Sequence, residues 1–217
     1  MRDEFRADLA EVSRTLVAMG SAVRVAMQRA TRALLTADQA DAEEVIARDA
    51  ETDALYRIVE DKVHSLLARQ APVASDLRVV MTALHVGGDL ERMGDLAAHV
   101  AKTALRRCPA PAVPATPHEL GEVVAHMGEV ADRIAAKITT ALSTSDIVTA
   151  TQLDRDDDEM DELHRRLYEI VLDKSWPHGV QEAIDCALLA RWYERYADHA
   201  VNVGRRVIFL VTGSLPD

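Results

Sequence analysis

Aromatic residues make up only 4% of this chain, and nine Gly and seven Pro among 217 residues leave little to interrupt regular structure. That scarcity suits an all-helical protein, and no segment reads as a strand. The two cysteines, Cys108 and Cys186, have neither metal nor redox spacing, which excludes a cysteine zinc site or a dithiol motif. No stretch reaches the roughly 18 apolar residues that a membrane span needs. The start, Met1-Arg2-Asp3-Glu4, has no apolar run for a signal peptide, so a reducing cytoplasm is the expected address. Basic residues are also short: the net charge of -11 excludes nucleic acid as a partner and leaves cations or basic protein surfaces. No Ser/His/Asp or Cys/His arrangement, phosphate-cradling Gly loop or Glu-x-x-His pair is present, so the chain is not expected to be an enzyme.

What is present is helical periodicity. From Phe5 the apolar positions Phe5, Leu9, Val12, Leu16, Met19, Val23, Ala26, Ala30 and Ala33 step by four and three, as in a bundle seam. A second helix is predicted from about Gln39 to Arg69, behind the capping residues Thr36 and Asp38. A third follows Pro72, from near Ser75 to Arg106. Three prolines between Arg107 and Thr116 rule out helix there and favour an extended spacer. Thr116-Pro117-His118-Glu119 then has the pattern of a capping box with proline at the first helical position.

The fourth helix carries the seam Leu120, Val124, Met127, Ala131, Ile134, Ile138 and Ala141. Each lies 108 residues after a member of the first seam, from Val12 to Ala33. A fifth helix, about Ser145 to Lys174, and a sixth, about His178 to Thr212, complete a second set. The predicted fold is all-α: two tandem antiparallel three-helix bundles related by internal duplication. The repeats are residues 1–106 and 117–217, joined by the Pro-rich linker 107–116. Short links within each set imply antiparallel neighbours.

The duplication extends to acidic pairs. Leu90-Glu91-Arg92-Met93-Gly94-Asp95 returns 103 residues later as Tyr193-Glu194-Arg195-Tyr196-Ala197-Asp198. Glu91 and Asp95 share a helix face roughly opposite the stripe Val86, Leu90, Met93, Ala97, Val100 and Ala104, and so face away from that core. Asp49 and Asp53 on the second helix match Asp157 and Asp161 on the fifth, again 108 apart. Such pairs arise several times by chance among 36 acids, and a solvated acidic face accounts for any one of them. Recurrence of both kinds in both repeats favours two patches of four carboxylates. Oxygen-only donors suit Mg²⁺, Mn²⁺, Ca²⁺ or iron and argue against structural zinc. In the fifth helix Asp154 and Asp158 have the same spacing, so the register there stays open. His164, one turn after Asp161, is set aside because its counterpart is Tyr56. Arg78, His85, Arg92, His99 and Arg106 recur every seven residues, as an exposed stripe pairing with acids or as a contact surface. Trp176, Trp192, Tyr193 and Tyr196 read as packing residues.

Ala71-Pro72-Val73-Ala74-Ser75-Asp76-Leu77-Arg78, together with the two carboxylate motifs beginning at Leu90 and Tyr193, resembles the PhoU family of bacterial phosphate-transport regulators. The resemblance spans essentially the whole chain. It implies metal clusters, of iron or zinc in some members and Mg or Mn in others, held at Asp49, Asp53, Glu91, Asp95, Asp157, Asp161, Glu194 and Asp198. It further implies negative regulation of phosphate uptake and of the starvation response. The implied partners are the ATPase subunit of the phosphate ABC transporter and a membrane sensor histidine kinase, and a homodimer is expected. Membrane contact would come only through partners. The second link, Ser175-Trp176-Pro177, lacks the Asp-Leu-Arg that follows Pro72, so a contact made by that motif belongs to the first repeat alone. A carboxylate-bridged metal enzyme and a metal-free adaptor bundle are the competing readings.

Overall fold

The structure, a computed structural model, describes residues 2–114 and 117–214. The helices are α1 (Arg2–Thr36), α2 (Gln39–Gln70), α3 (Ala74–Arg107), α4 (His118–Thr144), α5 (Ile147–Thr151), α6 (Leu153–Leu172) and α7 (Val180–Thr212), with no strand among the described residues. Between α1 and α2 the chain turns at Ala37, in the left-handed region at φ 57°, and Asp38 then caps α2 by accepting from the Asp41 N–H at 3.1 Å. At the other end of the chain, Gly213 at φ 81° closes α7, its N–H donating to the Phe209 carbonyl at 2.9 Å.

Where one fifth helix is predicted there are two. Asp146 caps Val148 and also takes the Thr149 hydroxyl, starting a single turn. That turn then tightens, because the Gln152 N–H donates to Thr149 rather than to Val148. The threonines at 149 and 151 spend their hydroxyls on this local turn, which a continuous helix would not satisfy in the same way. The capping box also differs. Thr116 lies outside the described residues, Pro117 is itself the N-cap, and Glu119 instead holds Arg166.

All seven predicted seam positions of α4 are buried, and so is the α3 stripe from Val86 to Ala104. Within the first set α1, α2 and α3 pack on one another, and within the second α4, α6 and α7 do; α1 also packs on α4, and α3 on α7. The buried side chains of both sets merge into one continuous core. Fully buried Tyr193 and Tyr196 reach across it from α7, hydrogen bonding to the Thr31 hydroxyl at 2.6 Å and donating to the Val23 carbonyl at 3.1 Å. The Pro-rich link is tied down as well. Ala112 and Val113 are buried, and the Ala112 N–H donates to Leu34 at the end of α1.

The α1/α4 contact is nearly two-fold symmetric. A Cβ at Gly128 would sit 2.5 Å from Thr31, and one at Gly20 would sit 2.9 Å from Thr139; both glycines and both threonines are 108 residues apart. Two helices approach this closely only where one side lacks a side chain. Near the centre, Arg24 forms a two-pronged ion pair at 2.5 and 3.0 Å with Asp132, the residue at its own duplicated position. Fusion of the repeats has let one position hold opposite charges in its two copies.

Candidate functional site

Asp49 and Asp53 lie on α2, and Glu91 and Asp95 on α3, at the face where these helices pack. Oxygens of Asp53, Glu91 and Asp95 come within 4.8 Å of one another. The side chains of Glu91 and Asp95 are only 22% and 31% exposed, because α2 covers that side of α3.

Burial and crowding act together on these acids. Burial raises the pKa of Asp49, and the charges of Asp95 and Asp53 raise it further, against weaker opposition from Lys102 and His99. Glu91 is raised for the same reasons, by burial first and then by Asp95, with Arg92 opposing. Like charges held this close in a partly dry site favour a proton or a cation between them. Arg92 supplies the cation the chain itself can offer: its Nη1 lies 2.8 Å from Asp95, and its Nε 3.6 Å from Glu91. The arrangement is a partly buried, oxygen-only donor set whose built-in counterion is 63% exposed and free to leave.

The second patch is not a copy of the first. Asp157 feels Asp161 and Asp198 as well as its neighbours Asp154 and Asp158, and burial first, then these charges, push its pKa up to about 6. Glu194 is raised by burial and Asp198, with Arg191 opposing. Of the two registers left open by the sequence, Asp157 is half-buried and feels Asp161 and Asp198, while Asp154 is exposed and lies 3.8 Å from Arg205, also on α7. Yet among the described residues only Asp53, Glu91 and Asp95 form a group of three with converging oxygens. The two four-carboxylate patches expected from the sequence therefore differ in geometry. The physical reason is Arg191, which stands where the first repeat has Gly88 and draws Glu194 into an ion pair.

His164 belongs to this neighbourhood, although the comparison with Tyr56 sets it aside. Its ring packs edge-on against Tyr168 at 4.6 Å, and its Nε2 is buried without a hydrogen-bond partner. Burial and Arg191 lower its pKa, against the pull of Asp161, which favours the neutral imidazole. Its spacing of three from Asp161 is the signal in the sequence. The seven-residue stripe divides among roles: Arg78 lies over the Phe209 ring at 5.7 Å, His99 stacks on Trp192 at 5.4 Å, and Arg106 donates to Thr103.

A family model described as the PhoU domain matches residues 16–104 and again 124–207. Over 216 residues, the full length of both chains, the sequence is 44% identical to phosphate-specific transport system accessory protein PhoU homolog 2 of Mycobacterium tuberculosis. The fold is similar to the crystal structure of PhoU from Pseudomonas aeruginosa, with a TM-score of 0.86 and 29% identity over 97% of this chain and 100% of that one. It is equally similar to the phosphate transport system regulatory protein PhoU from Streptococcus pneumoniae, with a TM-score of 0.86 and 25% identity over 98% and 99%.

Proposed function

Because this chain belongs to the PhoU family, we propose that it is an accessory regulator of phosphate-specific transport that restrains phosphate uptake and the starvation response while phosphate is plentiful. The observation that carries the reading is the match of both repeats to the PhoU domain, together with full-length identity to a relative named as an accessory protein of that transport system. The relatives and neighbours are named as accessory and regulatory proteins, which supports a role by contact rather than by turnover. Among the described residues no helix is long and apolar enough to cross a membrane. The protein then works from the cytoplasm and meets the membrane through the transporter's ATPase subunit and the sensor kinase. Deleting it should raise phosphate uptake and starvation-gene expression in phosphate-replete cells. Unchanged expression in the deletion strain would sink the regulatory reading.

The finer part of the proposal is that the carboxylate patches hold metal. Asp53, Glu91 and Asp95 fit a hard cation such as Mg²⁺, Mn²⁺ or iron, with Asp49 beside them to balance its charge. At the second patch Asp157, Asp161, Glu194 and Asp198 need Arg191 to withdraw, and the unpartnered Nε2 of His164 adds a nitrogen donor there. Bound metal would neutralise the repulsion among these acids and tie α2 to α3, and α6 to α7. Mn²⁺ titration with thermal melts tests this on wild type and on the Glu91/Asp95→Ala and Glu194/Asp198→Ala double variants. Each double variant should lose one site and keep the other. Wild type should gain about 2.7 kcal/mol per occupied site at a hundredfold excess of metal over Kd. Loss of all metal in either double variant would make the patches one shared site, and no loss in both would leave a solvated acidic face.

A further inference from the structure

Beside the first patch, on the far side of Arg92, α2, α3 and α7 enclose a cleft of about 480 Å³, within the size range of small-molecule sites. Its wall on α7 carries Arg206, half-buried and without a hydrogen bond or ion pair among the described residues. A guanidinium presents five donors in a fixed fork, so Arg206 brings an unpaired, preorganised cation to the cleft. Although the chain has 36 acids against 25 Lys and Arg, none pairs with Arg206 among the described residues. Asp89, the one acid lining the cleft, is already held by His199 at 2.9 Å. His85 and Asn202 add exposed donors on the opposing α3 and α7 walls.

Arg92 lines the same cleft and is also the counterion of the patch. We propose that this cleft binds the phosphate group of a small phosphorylated ligand between Arg206 and Arg92, and that metal on the neighbouring carboxylates strengthens the binding. Two guanidinium forks match a doubly charged oxyanion better than a carboxylate, since each can take two of its oxygens. Coupling to metal rests on the metal reading above. A cation taking the oxygens of Glu91 and Asp95 displaces the exposed Arg92 side chain and frees its fork for the cleft. The same cation cancels the negative field that repels an incoming anion. Reciprocity then requires the anion to tighten the metal by the same factor.

The test uses the full chain, with inorganic phosphate and a phosphomonoester such as ribose 5-phosphate as probes in calorimetric titrations, first in chelator and then with saturating Mn²⁺. Arg206→Gln should weaken both probes at least tenfold with its melting temperature and Mn²⁺ content unchanged. Mn²⁺ should tighten binding about fivefold or more in wild type and by less in Arg92→Gln, which keeps only the field effect. Tighter binding of the monoester identifies an organic phosphate as the ligand; equal binding identifies free phosphate. No binding, or binding that Arg206→Gln leaves unchanged, overturns the cleft, the latter placing the anion on the metal itself. Equal affinity with and without Mn²⁺ overturns the coupling. Mn²⁺ occupancy read directly by electron paramagnetic resonance keeps the two readings apart. If no Mn²⁺ binds, the metal reading and the coupling both fail, and the Arg206→Gln comparison in chelator still decides the cleft.

Discussion

Replacing Asp157 by Asn should stabilise the metal-free protein, and the gain should depend on pH. In the folded chain its carboxyl titrates near 6, raised by burial and by Asp161 and Asp198, whereas in the unfolded chain it returns to about 3.9. Between those values the folded state holds a proton that the unfolded state has released. Stability therefore falls as pH rises from about 4 to about 6, and the cost is complete above 6. Two units correspond to about 3 kcal/mol as an upper bound, and partial solvent access to this side chain reduces that to about 1 kcal/mol. Asn keeps the shape and removes the charge. In a chain of this length, 1 kcal/mol moves the melting temperature by about 2–4 °C. Thermal and urea melts in chelator should show that gain at pH 7.5, shrinking steadily toward pH 4. A pH-independent gain, or a loss at pH 7.5, would refute the argument, because either would mean that Asp157 contributes through packing or hydrogen bonds and not through repulsion. With Mn²⁺ present the sign should reverse, since the variant lacks a proposed ligand.

Gly128→Ala should destabilise by about 1–3 kcal/mol in urea melts, because its Cβ would press to 2.5 Å on Thr31, which is held by Met27 and Tyr193. Gly121→Ala in the same helix, with nothing within 4 Å, should stabilise by up to about 1 kcal/mol, and equal effects at the two glycines would refute the close α1/α4 approach. Asp132→Arg should cost about 1 kcal/mol by facing Arg24 with a like charge, and the double exchange Arg24→Asp/Asp132→Arg should recover most of it in a double-mutant cycle. Glu91/Asp95→Ala should leave the metal-free protein as stable as wild type or slightly more so, because it removes neighbouring like charges; a large loss in chelator melts would show that these acids hold the fold.

The helices were legible because each buries one stripe at a fixed period, and the stripes of α1 and α4 repeat with a constant offset that ends in buried seams. What could not be read depends on partners distant in sequence. Ala112 and Val113 look like spacer until Leu34 receives the backbone of the link, and the break at Gln152 interrupts a stretch predicted as one helix. The acid pairs were legible as residues but not as geometry. Spacing fixes which face a carboxylate occupies, whereas convergence depends on what the neighbouring helix and the adjacent cations do. Placing the two copies of the motif in register at an offset of 103 pairs Gly88 with Arg191, so Glu194 has an arginine one turn before it that Glu91, paired with Arg92, lacks. The same register pairs Arg206 with Thr103, so the cationic wall of the cleft also exists in one copy only. The two acidic faces differ by an arginine at each of two α7 positions: Arg191 pairs with Glu194 in the second patch, and Arg206 lies across the cleft from the first.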